Sequence, residues 1–144
     1  MIEDDTIKLL KECNAGVKMA VTSIDEVFDA VKDDKLRDLL SKSKQEHEAL
    51  GDETHNLLNE YHDAEKDPNP IAKAMSWMKI NMKLMTNGSD QEVSDLITDG
   101  CNMGTKSLHK YLNKYKDAND KAKEITRKLI DIEETLIKDL RCYL

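Results

Sequence analysis

Leu10, Cys13, Val17, Ala20, Ile24, Val27 and Val31 follow one another at alternating intervals of three and four residues. Only an α-helix gathers such positions onto one face. Ile7, Val21 and Phe28 widen the stripe, and the pattern predicts one long helix over about residues 5–32. At 1.5 Å rise per residue such a helix is about 40 Å long. Its apolar face has to be covered along that whole length, so the chain needs other helices of similar reach. Asp33 and Asp34 offer a stop and a new N-cap, because a short side-chain oxygen can accept a free backbone N–H.

A second stripe reads Leu36, Leu40, Ser43, His47, Leu50, Thr54, Leu57, Tyr61 and Ala64. It predicts an antiparallel helix over about 35–65, with a polar centre and Gly51 beside it. Pro68 and Pro70 end it, Pro70 suiting a first helical position behind Asn69. A third segment, about 70–86, places Ile71, Met75, Met78, Met82 and Met85 on one face, flanked by Trp77 and Leu84. Gly88 suits a left-handed residue after a helix. Ser89 and Glu92 have the spacing of a capping box. The next helix is expected to reach about residue 116, with Val93, Ile97, Gly100, Gly104, Leu108, Tyr111 and Tyr115 inward. After a turn at 117–120, the last helix carries Ala122, Ile125, Leu129, Ile132, Leu136 and Leu140 inside.

Five glycines, two prolines and one phenylalanine in 144 residues leave little material for a many-turned β fold. No linker, low-complexity tract or repeat divides the chain, so residues 1–144 read as one helical-bundle domain. The segment over 70–86 either climbs the bundle as a helical crossover between the second and third long helices, the ferritin-like variant of an up-down four-helix bundle, or covers one end. The fold expected is therefore all-α and ferritin-like, with that extra segment.

The order of two long helices, then NPIAKAMSWMKINMKLM, a Ser-capped break and SDLITDGCNMGTKSLHKYLNKY resembles small ferritin-like bundles found in bacterial proteins of unknown function. The resemblance implies a fold. The chemistry of the wider superfamily is di-iron or di-manganese oxidation and iron storage, which needs one Glu on each of two helices and a Glu-x-x-His on each of the other two, all inward. The last helix has no His after Glu133 or Glu134. The seam of the first helix has no carboxylate, since Asp25, Glu26 and Asp29 fall beside or opposite it. Asp52 and His55 have the right spacing but point away from the Leu50/Thr54 seam. An intact di-metal site is not expected.

His47 is the histidine that the seam turns inside, with Glu46 toward the rim. It reads as a hydrogen-bonded interior histidine or as the centre of a small-ligand or single-metal pocket. Glu48, Asp52, His55, Asn59 and His62 form an outer polar stripe. Gly100 and Gly104 share a face, and each costs about 1 kcal/mol in a helix relative to Ala. They imply close approach of a helix or of a large side chain such as Trp77 or Tyr61, or else a ligand against bare backbone. The methionine face serves as core or as a groove for a partner.

The formal charge of −7 disfavours nucleic acid and anionic membrane as partners. No apolar run approaches the roughly 18 residues of a membrane helix, and the acidic start MIEDD does not resemble a signal peptide. Cys13, Cys101 and Cys142 are unpaired by spacing, which suits reduced thiols in a cytoplasm. No nucleophile triad, phosphate-binding glycine loop or paired acids appear, so no catalytic residue is expected. The reading is a cytoplasmic, non-catalytic binding protein without a cofactor, meeting a protein partner or a second copy through Met75, Trp77, Met78, Met82 and Met85. The alternative is a degenerate ferritin-like protein holding a single divalent metal near Glu46 and His47.

Overall fold

The computed structural model describes residues 2–61 and 88–144. Among these residues it is built from helices: α1 (Ile2–Phe28), α2 (Asp34–Glu60), α3 (Asp90–Lys114) and α4 (Asp120–Leu140), closed by a short 3-10 turn at Arg141–Tyr143. The segment expected over 70–86, with Met75, Trp77, Met78, Met82 and Met85, lies outside the described residues.

Two of the later helices start where the sequence places a cap, and the third is capped by Asn119 within the expected turn. The Asp33 carboxylate accepts from the backbone N–H groups of Lys35 and Leu36 at 2.8 and 3.1 Å. Ser89 Oγ accepts from Glu92 N–H at 3.2 Å, behind Gly88 at φ +60°, a conformation that disfavours a Cβ. Asn119 accepts from Ala122 N–H at 2.9 Å. The first helix ends at Phe28, earlier than its apolar stripe suggests. Ala30 N–H and Val31 N–H donate to the carbonyls of Val27 and Phe28, and this tighter turn folds Val31 back over the top of the core, where it is 2% exposed.

α1 packs on all three other helices, and α4 packs on α2 and α3. The contacts also fix directions. Residues near the start of α1, the end of α2, the end of α3 and the start of α4 form one apolar cluster, containing Leu9, Leu10, Leu58, Leu108, Ala122, Ile125 and Leu129. The opposite ends form a second cluster, with Ile24, Val27, Leu36, Leu40, Val93, Ile97, Leu136 and Leu140. So α1 and α4 run one way, α2 and α3 the other, and α2 ends at the opposite end of the bundle from where α3 begins. Each fully buried Leu, Ile or Val contributes about 1.5–3 kcal/mol, and both ends are well supplied.

Polar clamps close the two ends. At the upper end the Asp90 carboxylate accepts from Lys32 N–H and Asp33 N–H at 2.8 and 3.0 Å. It ties the first turn of α3 to the α1–α2 connection. At the lower end Thr6 Oγ accepts from Asn119 N–H at 2.8 Å, while Asn119 Nδ2 donates to the Tyr61 hydroxyl at 3.1 Å.

Asp90→Ala removes two charge-assisted bonds and a favourable negative charge from a helix N-terminus, and should cost about 1–2 kcal/mol. Urea melts of this variant beside Glu124→Ala, which breaks only a surface pair with Lys128, check the point. Equal midpoints would show that the upper turn holds without the clamp.

Candidate functional site

Between the two apolar clusters the bundle has a polar waist. Residues 18–23 of α1 and 102–107 of α3 contribute no buried side chain. Gly51 of α2 lies against Val17 of α1, Gly16 of α1 against Leu129 of α4, and Gly104 of α3 against Glu133 of α4. Counting about one turn along from these contacts places Ala20, His47, Gly104 and Glu133 at one height, one from each helix.

His47 is wholly buried, as its place in the seam predicts. Its Nδ1 lies 2.8 Å from the Ser43 carbonyl. A carbonyl only accepts, so Nδ1 carries the proton and Nε2 is left as a bare acceptor. Nε2 is buried and has no hydrogen-bond partner. Burial holds the imidazole below its ordinary pKa, against smaller upward pulls from the Ser43 bond and Glu46. Glu46 itself is exposed. It lines an open groove of about 450 Å³ between α2 and α4, with Ala49, Leu50, Glu53, Lys128, Asp131 and Ile132. The two candidate ligands thus lie on different sides of the α2 surface.

Glu133 was not expected inside. The sequence turns Ile132 inward, but α4 presents Ile130 and Glu133 to the core instead, and Ile132 is only partly buried. Glu133 is 5% exposed, its Oε2 has no partner, and burial alone raises its pKa to about 8. Both carboxyl oxygens occupy the place a Cβ on Gly104 would take, 2.8 and 2.9 Å from it. This is what the bare backbone of Gly104 accommodates: a carboxyl group from α4, neither a large aromatic nor a helix backbone.

Two thiols flank the waist. Cys13 Sγ lies 3.1 Å from Thr126 Oγ1, and Thr126 donates its own proton to the Ala122 carbonyl at 2.8 Å, so the thiol is the donor. Burial pushes Cys13 up to about 12 and raises Cys101 further, with Glu133 adding to both. Buried, protonated thiols are poor nucleophiles; Cys142 is exposed. Ser94 Oγ and Thr98 Oγ1 are also buried without partners. The outer stripe behaves as expected, with Glu48, Asp52, His55 and Asn59 all exposed, while His62 lies outside the described residues.

Among the described residues no three of His, Cys, Asp and Glu come together to hold a metal, and no helix is long and apolar enough to cross a membrane. What the waist provides is a neutral carboxyl, a neutral imidazole with a free lone pair, and hydroxyls. It can hold hydrogen bonds and store a proton.

Gly104→Ala brings a methyl group within 3 Å of both Glu133 carboxyl oxygens and should cost about 1–2 kcal/mol as the buried side chain is forced to shift, set against about 1 kcal/mol gained in helix propensity. In a Glu133→Ala background the same change should stabilise, by up to about 1 kcal/mol. A double-mutant cycle by urea melts reads the coupling; additive effects would mean the carboxyl moves aside freely.

The pH dependence has a definite sign. Glu133 ionises near 4.5 when free and near 8 in the fold, so the native state binds the extra proton between those values. Stability falls as pH rises through that interval, by at most about 1.4 kcal/mol per pH unit. His47 acts oppositely, because the unfolded chain takes a proton below about 6.5 that the fold resists. Below about pH 6.5 the two slopes oppose each other, and only the Glu133 decline remains above that. Glu133→Gln should flatten the decline between pH 6.5 and 8 in urea melts; an unchanged slope would place its source elsewhere.

No protein-family model, curated protein or solved structure matches this chain.

Proposed function

We propose that the chain is a ferritin-like bundle that works as a non-catalytic binding protein, for a protein partner or a second copy. The layout supports the first part: α2 ends and α3 begins at opposite ends of the bundle, as in four-helix bundles with one lengthwise connection. The observation that carries the second part is the composition of the waist. A di-metal centre draws ionised carboxylates from every helix, whereas the described residues put one imidazole and one carboxyl inside, both kept neutral by burial. The groove between α2 and α4 has an apolar floor of Ala49, Leu50 and Ile132 inside a charged rim, a surface suited to a partner helix. Free thiols suit a reducing compartment, which agrees with a bacterial cytoplasm.

One observation favours a second reading, a single divalent metal at His47. Metal-binding histidines commonly donate their other ring N–H to a carbonyl, and His47 does so to Ser43 while leaving Nε2 bare.

Light scattering over a wide concentration range, with elemental analysis of the same samples, separates the two. Binding without metal predicts sub-stoichiometric metal that His47→Ala does not change. It also predicts that any dimer is weakened by Ala49→Arg in the groove. Stoichiometric iron, manganese or zinc that His47→Ala abolishes would replace the first reading by the second. A single-copy mass at the highest concentration would remove self-association.

A further inference from the structure

Among the described residues Glu133 is the one buried carboxyl, and it sits between the two apolar clusters. The upper and lower apolar clusters are separate. Between them α3 has no buried side chain from residue 102 to 107, and it carries Gly100 and Gly104, each a weak helix former. The carboxyl rests in the space left by the missing Cβ of Gly104. The titratable groups facing it are Cys13 on α1 and Cys101 on α3, both of which feel its charge, and His47 of α2 stands at the same height. None is a cation in the fold, because burial favours the neutral imidazole and protonated thiols.

We propose that Glu133 and Gly104 form a proton-operated latch, in which loss of the Glu133 proton releases the middle of α3 from α4 and admits water between the two apolar clusters. The proton leaves the carboxyl for solvent, and no other group gains or loses a bond. Among the described residues an ionised carboxylate here has no positive partner, and its Oε2 has no donor, so hydration is its cheapest relief. The apolar clusters hold the two ends of α3 through Val93, Leu96 and Ile97 above and Leu108 below, so the opening is confined to the waist. The raised ionisation range of Glu133, near 8, puts the transition next to neutral pH. The latch operates whatever the bundle binds.

Hydrogen exchange followed by mass spectrometry tests it on the intact protein, each rate corrected for intrinsic base catalysis. Linkage gives the expected size: the opened fraction of α3 rises about tenfold per pH unit up to pH 8 and levels off above. Peptides covering 98–107 should show about fiftyfold faster corrected exchange at pH 8 than at pH 6, while peptides of the α1–α2 hairpin near Leu10 and Leu58 stay far better protected at every pH, exchanging only through global unfolding. Glu133→Gln should abolish the rise, and Gly104→Ala should open α3 already at pH 6. Equal absolute protection in all helices, at pH 8 as at pH 6, would replace the latch by global unfolding. A rise that survives in Glu133→Gln would overturn it as well.

Discussion

The structure depends on a division of its interior. Two apolar clusters hold the ends of the bundle, and a polar layer separates them. Everything distinctive about the chain follows from that layer. His47 and Glu133 project from α2 and α4, while Gly104 makes room on α3. A buried ionisable group without a partner costs several kcal/mol if charged, so proteins shift its pKa and keep it neutral. Both groups here obey that rule, in opposite directions. The carboxyl is pushed up and the imidazole down, so the fold excludes charge from its middle without excluding ionisable side chains.

The helical frame is legible because its signals are local and redundant. The 3-4 stripe of residues 10–31 and the caps at Asp33 and Ser89 each stand on a few neighbouring residues, and the structure uses both caps. His47 is legible for the same reason, since Leu40, Ser43 and Leu50 fix the side of the helix it occupies. Glu133 is not. Leu129 and Leu136 allow either Ile132 or Glu133 as the inward residue between them, because three and four residues are equally good steps. Apolarity favours Ile132, and a reading by hydropathy takes it. The choice is decided by α3, which presents Gly104 at that height. The same ambiguity appears at the end of α2, where Leu58 is buried and Leu57 only partly so. Gly100 and Gly104 did signal that something closes on bare backbone, but a missing side chain carries no information about the chemistry of its neighbour.

A carboxyl in the interior also bears on how the helices find their axial positions. Apolar seams at 3-4 spacing fit one another in several registers, each displaced by a turn, and a uniform core discriminates weakly between them. Sliding α4 one turn along α3 toward its C-terminus carries Glu133 from Gly104 to the neighbourhood of Leu108, where a leucine side chain fills the space a carboxyl would need. Buried polar groups are best attested in this role, fixing register at some cost in stability. The opposing helices repeat the device. Gly51 accepts the close approach of Val17, 2.8 Å from where its Cβ would sit, so the α1–α2 pair too is pinned by a glycine meeting a particular partner. The glycine that costs α3 helix stability is therefore the residue that tells α4 where to stop, and the same contact makes that register sensitive to a single proton.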